Sequence, residues 1–353
     1  MTFDTSLVDL NPNASFSTTE SEPSDLGTSN PTTKTPTLHQ PSLFEDQSQE
    51  STPKQSQTLS PSNNMSAPPK PSTPVQHIPT QDAYDQWSSV YDSDGNMLQA
   101  IDDAELETLL PDFLALVLRS VPQGKEKRDI SLLDLGCGTG RNTAKLLSYA
   151  SWPRDRNISV TGLDFSQGML DIAERKLRPL VSGKGTKRED MDISLRLEQA
   201  DCFPTVDAPE ANPLPSIPSS SPPLPPPIDA VISTLVLEHI PLPAFFATLS
   251  ALLPPCPSPT YALITNMHSD MGALSQAGFK NSQGVKIRGA SFAHTLKDTV
   301  LEAQRAGFEV LGTRERSVEV GDVEGESGEQ GAKWVGVKVW FAVWVRRGGR
   351  GGG

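Results

Sequence analysis

The segment that most constrains the fold is residues 132–140, which read Leu-Leu-Asp-Leu-Gly-Cys-Gly-Thr-Gly. A buried-strand pattern over Ile130–Leu135 runs directly into these closely spaced glycines, and a helical pattern follows over residues 143–149. Glycine is needed at such a turn because the chain leaves the strand sharply and a ligand can then lie against bare backbone. The segment therefore predicts a strand–loop–helix unit whose loop binds a ligand.

The spacing of the glycines discriminates between two kinds of nucleotide ligand. A dinucleotide-binding loop reads G-x-G-x-x-G, which would place its last glycine at the position of Arg141. Here that glycine comes one residue earlier, at Gly140, and the acidic Asp134 precedes the loop. The spacing disfavours a pyrophosphate ligand. A nicotinamide oxidoreductase therefore remains only as a competing hypothesis.

The loop resembles the first motif of the class I S-adenosylmethionine-dependent methyltransferases. In that family the loop packs against the methionine part of the cofactor, and the acidic residue lies near the cofactor's amino group. The resemblance implies S-adenosyl-L-methionine as the cofactor. It assigns cofactor contacts to these residues of the loop: Asp134, Gly136, Cys137, Gly138 and Gly140.

The end of the second predicted strand carries the next part of the resemblance. Asp164 lies 24 residues after Gly140, a distance at which an acidic residue can accept hydrogen bonds from both ribose hydroxyls. The resemblance assigns that role to Asp164. It also implies that Phe165 lies beside the adenine and that Met169, on the following helix, lies near the ring.

Two later segments complete the implied cofactor site. Asp201 follows the third predicted strand and matches a family position that faces the adenine amino group, with the amide of Cys202 near the ring. The segment that begins at Asp229 resembles the family's fourth-strand motif. The end of that strand, at Thr234, is implied to open onto both cofactor and substrate.

Strand-like and helix-like segments alternate along the middle of the chain, which indicates a parallel sheet covered on both faces. Residues 308–320 and 334–345 break this alternation, because two strand patterns follow each other without a helix between them. Such a hairpin brings one strand into the sheet antiparallel. We therefore predict an α/β, Rossmann-like three-layer sandwich with a mostly parallel, seven-stranded sheet and an antiparallel strand near its C-terminus. The predicted strands before the hairpin are Ile130–Leu135, 158–163, 193–198, 228–234 and 261–265, and the predicted helices are 143–149, 168–177, 243–253 and 296–306.

The composition indicates that part of the chain does not fold. Its 353 residues include 32 prolines, too many for one compact α/β domain. Residues 1–79 are rich in Ser, Thr and Pro and are predicted to be a disordered arm. The methyltransferase domain is expected over residues 80–347, with a helical cap at 80–125 and a proline-rich insertion at 205–227, followed by a Gly-rich tail at 348–353.

The predicted cap carries three aromatic residues, Tyr84, Trp87 and Tyr91, at helical spacing. The segment resembles the N-terminal cap of small-molecule methyltransferases, including those of quinone biosynthesis, in which a Tyr-Asp pair reaches over the cofactor. Tyr91 and Asp92 form the matching pair, so Tyr91 is implied to contact the cofactor. Tyr84 and Trp87 fit equally well as residues that pack the cap on the core.

The sequence offers only candidate bases on the acceptor side. Methyl transfer from a sulfonium mainly requires alignment and exclusion of water, and a base only where the acceptor's proton has a high pKa. His239, His268 and His294 are the candidates, and whether a base is used stays open. Residues 271–290 are expected to form a lid over the acceptor pocket.

Charge and composition restrict the partners. The net charge of -13, with no evident basic face, disfavours a nucleic-acid acceptor. The three cysteines form neither a disulfide framework nor a metal-binding pair, and no secretory signal or long apolar run is present. We expect a cytoplasmic protein, and a nuclear location is also compatible with the sequence. The leading hypothesis is methyl transfer to a small molecule; a protein methyltransferase and a non-catalytic cofactor-binding module are the alternatives, and the acceptor atom and oligomeric state stay open.

Overall fold

The computed structural model describes residues 74–122, 128–182, 192–203, 228–323 and 331–348. Residues 1–73 of the predicted arm, the whole proline-rich insertion and residues 349–353 of the tail lie outside these ranges. All described residues belong to one compact unit.

The described elements are ten strands and seven helices, together with two short 3-10 turns. The strands are β1 (Val75–His77), β2 (Ile130–Leu135), β3 (Ile158–Asp164), β4 (Ile193–Gln199), β5 (Ala230–Thr234), β6 (Thr260–Met267), β7 (Phe279–Lys280), β8 (Lys286–Arg288), β9 (Glu309–Ser317) and β10 (Lys338–Arg347). The helices are α1 (Thr80–Trp87), α2 (Met97–Ser120), α3 (Arg141–Leu147), α4 (Gln167–Ser182), α5 (Leu242–Leu252), α6 (Ser269–Gly272) and α7 (Leu296–Arg305).

Seven of these strands form one sheet in the order β4-β3-β2-β5-β6-β10-β9. Neighbouring strands in the part of the sheet from β4 to β6 are all parallel. In contrast, β10 runs antiparallel to both of its neighbours, β6 and β9. This confirms the predicted mostly parallel, seven-stranded sheet with an antiparallel strand near the C-terminus. Every residue of β2 and of β6 is buried, as expected for central strands covered on both faces.

Helices cover both faces of the sheet and give the predicted three layers. Leu114 of α2, Leu146 of α3 and Leu177 of α4 belong to one apolar cluster with residues of the sheet. Phe245 of α5 and Ala303 of α7 belong to a second cluster. The fold is therefore held by two separate apolar layers, one on each side of the strands.

The segment before α1 corrects the predicted domain boundary. Val75–His77 pairs in parallel with Lys286–Arg288, and the Ile78 amide donates to the Arg288 carbonyl at 3.0 Å. Assigning residues 74–79 to the disordered arm was therefore wrong. The pairing partner lies more than two hundred residues away in sequence, so no local pattern could indicate this strand.

The same small sheet corrects the lid expected over residues 271–290. The segment contains α6, β7 and β8, and the order of the small sheet is β1-β8-β7. Phe279 stacks on Trp87 of α1 with ring centroids 5.4 Å apart. Only Ala290 of this segment reaches the main cavity described below. The segment thus supports the cap helix from behind instead of covering the cavity.

The remaining boundaries differ from prediction by a few residues. The first helix after the glycine loop spans Arg141–Leu147 instead of 143–149, because Gly140 takes a left-handed conformation at its N-cap. Within the described ranges, no helix is both long enough and apolar enough to cross a bilayer.

Candidate cofactor and acceptor site

A cavity of about 640 Å³ lies at the carboxyl ends of β2, β3, β4 and β5. This volume falls in the range of small-molecule and cofactor sites. One wall consists of the glycine loop and the residues that follow these strands. The other wall comes from the cap, the start of α5 and the segment before α7. The lining residues on the first wall include Leu135, Gly136, Gly138, Asp164, Phe165, Met169, Asp201, Cys202, Phe203, Thr234 and Leu235, and those on the second include Thr80, Tyr84, Tyr91, His239, Ile240, Pro241, Pro243, Ala244, Ala247, Ala290 and Phe292.

The three glycines of the loop are required for different reasons. All have positive φ: +76° at Gly136, +54° at Gly138 and +79° at Gly140. A Cβ on Gly136 would lie 2.3 Å from Val236, and one on Gly140 would lie 2.7 Å from Leu177. A Cβ on Gly138 would meet nothing within 4 Å. Gly138 is therefore the position at which bare backbone faces the open cavity.

Asp164 fixes this loop while presenting a carboxylate to the cavity. Its carboxylate accepts from the amide of Gly138 at 2.8 Å and from the amide of Ser166 at 2.9 Å. Burial raises the pKa of Asp164 to about 6, although these backbone hydrogen bonds oppose the shift. The group is mostly ionised at neutral pH and is held rigidly at the end of β3.

Two loop residues predicted to contact the cofactor do not line the cavity. Asp134 is buried and accepts a hydrogen bond from the Thr143 hydroxyl at 2.6 Å. Burial raises the pKa of its carboxyl to about 7. Cys137 packs on β3, where a Cβ on Gly162 would lie 2.9 Å from the Cys137 sulfur. Both residues pack the loop against neighbouring elements. This is a structural role that the sequence motif did not indicate.

Gly140 also lies outside the cavity lining, since it starts α3 against Leu177. The other predicted contacts do line the cavity. These residues are Tyr91, Gly136, Gly138, Asp164, Phe165, Met169, Asp201, Cys202 and Thr234. The sequence thus identified most of the first wall. The exceptions are residues whose side chains or Cβ positions face the protein interior instead of the cavity.

Two carboxylates attach the cap to the first wall. Asp85 of α1 accepts from the Ser166 hydroxyl at 2.5 Å and from the amide of Gly168 at 3.0 Å, at the start of α4. Asp92 accepts from the hydroxyl of Thr139, within the glycine loop, at 2.6 Å. The cap is therefore joined to both the loop and α4 by hydrogen bonds to charged groups.

His239 lines the cavity as a neutral imidazole with a defined tautomer. Its Nδ1 lies 2.6 Å from the Ala290 carbonyl, which can only accept, so Nδ1 carries the proton. Its Nε2, 2.7 Å from the Tyr84 hydroxyl, is then the acceptor of that phenol's proton. Burial lowers the pKa of His239 to about 4. The pair therefore presents a phenol oxygen, oriented by a neutral histidine, to the cavity.

The other two candidate histidines lie outside the cavity lining. His268 caps α6, where its Nδ1 accepts from the Asp270 amide at 3.0 Å, and its Nε2 lies 2.9 Å from Glu315. His294 donates from Nε2 to the Ile240 carbonyl at 2.8 Å and stacks on Phe292. Both histidines are engaged with neighbouring elements, so the structure does not support them as bases.

Several residues of the second wall could not be assigned to the cavity from the sequence. Tyr84 was equally consistent with simple packing, and the α5 and Phe292 positions carry no motif. They meet the cavity only because α5, the cap and the segment before α7 converge there. Among the described lining residues, the ionisable acids are Asp164 and Asp201, both on the first wall, and there is no Lys or Arg. The second wall is largely apolar.

Comparisons with known proteins identify the family. A family model described as a methyltransferase domain matches residues 103–312, more than half of the chain. A curated protein of Emericella nidulans, named as an uncharacterized methyltransferase, is 39% identical over 284 residues, which span 76% of this chain and 91% of that protein. The chain belongs to the methyltransferase family that this model describes.

Distant similarities to solved structures also exist. The DhpI complex with S-adenosylhomocysteine is 15% identical with a TM-score of 0.43, and it covers 76% of this chain and 96% of its own. The magnesium protoporphyrin IX methyltransferase of Synechocystis PCC 6803 is 16% identical with a TM-score of 0.42, and it covers 75% of this chain and 94% of its own. Similarity this low says nothing about the acceptor of this methyltransferase.

The residues of the first wall fit the S-adenosylmethionine that the glycine motif implies as the cofactor. Gly138 leaves open space in front of its backbone, and Asp164 presents a rigid carboxylate next to it. Phe165 and Met169 add apolar surface for a ring. The first wall thus combines a cradle, a hydrogen-bond acceptor and an apolar slot.

Proposed function

We propose that this methyltransferase acts on a small, largely apolar molecule that binds between the cap and the carboxyl ends of the strands. The observation that carries the proposal is the composition of the second wall. It contains Ile240, Pro241, Ala244 and Phe292, with the Tyr84–His239 pair as its polar feature. Such a wall suits an apolar body with one or two polar groups.

The first wall supplies the cofactor contacts that we propose. Asp164 is suited to accept the ribose hydroxyls, because its carboxylate is fixed by two amides and faces the cavity. Phe165, Met169 and Cys202 are suited to contact the adenine, with Asp201 facing its amino group. Thr234 and Tyr91 are suited to contact the cofactor near the acceptor side, since both line the cavity.

The chain's own contribution to the reaction is alignment and exclusion of water. The bound cofactor supplies the electrophilic methyl group. The glycine loop and Asp164 hold one reactant in place, while the cap, attached through Asp85 and Asp92, covers the cavity. His239 orients the Tyr84 hydroxyl through Nε2. Holding reactants in line in a dry cavity accounts for a large part of the rate enhancement in bimolecular reactions.

The composition of the cavity favours a small molecule over a macromolecule. A nucleic-acid acceptor would require basic residues, and the described cavity lining has no Lys or Arg. A peptide acceptor would leave backbone amides and carbonyls against a wall that offers few hydrogen-bond partners. Protein methylation therefore remains the alternative outcome of the test.

The proposal is tested with the full chain in two stages. Calorimetric titration with S-adenosylhomocysteine, with NADH as the control, first measures cofactor binding. Transfer of labelled methyl from S-adenosylmethionine is then compared between a library of small apolar amines, phenols and acids and a peptide library. Labelled small molecules support the proposal. Binding of S-adenosylhomocysteine with transfer to peptides alone overturns the small-molecule acceptor, and binding with no transfer at all favours a non-catalytic module.

A further inference from the structure

A second, smaller cavity adjoins the first behind the cap. It has a volume of about 40 Å³, and three residues, Tyr84, Tyr91 and Leu235, line both cavities. A space of this size accommodates more than one water-sized group. The small cavity therefore borders the acceptor side of the main cavity and can receive a compact polar head but not a whole substrate.

Glu238 gives this small cavity its chemical character. The side chain is 5% exposed, and its Oε2 has no hydrogen-bond partner. The backbone of Glu238 is fixed on both sides, since its amide donates to Asn266 Oδ1 at 2.9 Å and its carbonyl accepts from the Phe292 amide at 2.7 Å. A buried carboxyl oxygen left without a donor is costly, and such groups usually await a ligand or a proton.

The groups around Glu238 provide no counterion. The described residues that line the small cavity contain no Lys, Arg or His. His239 Nε2 lies 3.6 Å from Glu238 Oε1, but this nitrogen carries no proton because it accepts from Tyr84. The other elements contribute the phenols of Tyr84 and Tyr91 and the uncharged residues Ser275 and Gln276.

Aromatic rings complete the surroundings. The rings of Tyr84, Trp87 and Tyr91 lie with centroids 5.0 to 6.0 Å apart, and all three residues line the small cavity. Asp94 accepts from Trp87 Nε1 at 2.7 Å. Aromatic faces combined with a carboxylate recognise organic ammonium groups, because both attract positive charge in a poorly hydrated space.

Leu235 shows that the wall between the cavities is held under strain. It is the one non-glycine residue with a positive φ, +57°, among the described residues. A bulky side chain in this conformation is strained, and such strained residues cluster at functional sites. The strain brings the Leu235 side chain to the boundary between the two cavities.

We propose that the small cavity is the subsite for the amine nitrogen of the acceptor, with Glu238 as the group that binds it and takes its proton. This inference rests on the proposed function, because it names the acceptor class of the same site. The amine is then an apolar molecule whose body lies in the main cavity and whose ammonium head reaches Glu238.

The proton and electron balance follows from this placement. The ammonium group gives one proton to Glu238 Oε2, so that an N–H bond breaks and an O–H bond forms. The lone pair left on nitrogen then forms the N–C bond as the S–C bond breaks, and the positive charge passes from sulfur to nitrogen. Burial raises the pKa of Glu238 to about 8, so the empty site holds a proton at neutral pH, and this proton leaves to solvent when the ammonium group binds. The same raised proton affinity of the carboxylate then favours transfer of one ammonium proton to it.

The test uses matched pairs of acceptors that differ only at the head: 2-phenylethylamine and 2-phenylethanol, tryptamine and tryptophol, and hexylamine and hexanol. Binding of each to the full chain saturated with S-adenosylhomocysteine is measured by calorimetry, and methyl transfer is measured separately. The wild-type chain is expected to bind and methylate amines in preference to the matched alcohols. Glu238→Gln is expected to weaken amine binding by more than about 30-fold, because it removes one partner of a buried charge pair.

Two controls keep the outcome unambiguous. Glu107→Gln changes an exposed glutamate on α2 and is expected to leave amine binding unchanged. S-adenosylhomocysteine affinity reports folding and cofactor binding in every variant. If the chain binds S-adenosylhomocysteine but methylates only alcohols, or no amine at all, or if Glu238→Gln retains wild-type amine binding, the subsite is overturned while the cofactor site stands. If S-adenosylhomocysteine itself fails to bind, the proposed function fails with it.

Discussion

The two walls of the main cavity are built in different ways. The first wall comes from backbone turns at strand ends, and its polar groups are acids held by nearby amides, as Asp164 is held by Gly138 and Ser166. The second wall comes from side chains of the cap, α5 and the segment before α7. Its central polar contact, between Tyr84 and His239, joins residues 155 positions apart in the sequence.

Under the proposed function, this difference separates cofactor binding from acceptor choice. The first wall depends on left-handed backbone at specific glycines, so it tolerates little change. The second wall depends on apolar contacts, which change with single side chains and leave the sheet intact. Variants on the first wall should therefore affect cofactor affinity, and variants on the second wall should affect the acceptor or stability.

The largest effect is expected for Gly138→Ala. The new methyl group would occupy the open space in front of the loop and would also force a Cβ into positive φ. We expect S-adenosylhomocysteine affinity to fall by more than about 100-fold, measured by calorimetry. Gly284→Ala is the matched control, because Gly284 has φ +75° and equally open surroundings away from the cavity. This control variant should lower the free energy of unfolding by about 1–2 kcal/mol and leave S-adenosylhomocysteine affinity unchanged. Equal losses of affinity in both variants would contradict binding of the cofactor against the Gly138 backbone.

A smaller effect on the same wall is expected for Asp164→Asn. The proposed ribose contacts need an ionised carboxylate, and loss of its charge should weaken S-adenosylhomocysteine binding by about 10- to 50-fold. The pKa of Asp164 is raised to about 6, so wild-type affinity should be constant above that pH and fall as the pH drops below it. The Asn variant should lack this dependence. A wild-type affinity that stays constant down to about pH 5 would argue against Asp164 as a ligand.

In the small cavity behind the cap, Glu238→Gln should change stability in a pH-dependent manner. The folded pKa of Glu238 is about 8, above its usual 4.5, so the folded chain keeps a proton that the unfolded chain loses across this window. The contribution of Glu238 to the free energy of unfolding of the wild type is fully present below about pH 4.5 and is lost as the pH rises through about 8. The variant has no such loss, so its melting temperature should exceed that of the wild type by several degrees near pH 8 and by much less near pH 5. A difference that does not change with pH would show that Glu238 titrates normally.

The smallest effect is expected where the walls are joined. Thr139→Val removes the hydrogen bond from the glycine loop to Asp92 of the cap. One such bond contributes about 1 kcal/mol, so S-adenosylhomocysteine affinity should fall by about 2- to 10-fold. Asp92→Ala removes the same hydrogen bond together with the ion pair to Lys176, so the affinity should fall somewhat further, and the double variant should be little worse than Asp92→Ala alone. Additive losses would mean that the two side chains act independently.

The sequence predicted the sheet and most of the first wall because the determinants are local. Gly136, Gly138 and Asp164 lie at strand ends that buried-strand patterns marked clearly, and the structure brings them to one cavity. Asp134 and Cys137 were expected at the cofactor because a motif gives positions but not the direction of side chains. His268 and His294 were candidates by residue type and by their positions after the fifth predicted strand and before the last predicted helix, but contacts with Glu315 and the Ile240 carbonyl engage them elsewhere.

The sequence by itself determined the strand–loop–helix unit, the order of strands and helices along the chain, and the reversed strand near the C-terminus. These follow from hydrophobic period and from glycines that the backbone requires within a few residues. What only the tertiary structure decided is the second wall, the pairing of Val75–His77 with β8, and the unpaired carboxyl of Glu238. Each of these depends on contacts between distant parts of the chain, and burial of a polar group is a property of its neighbours that no local pattern contains.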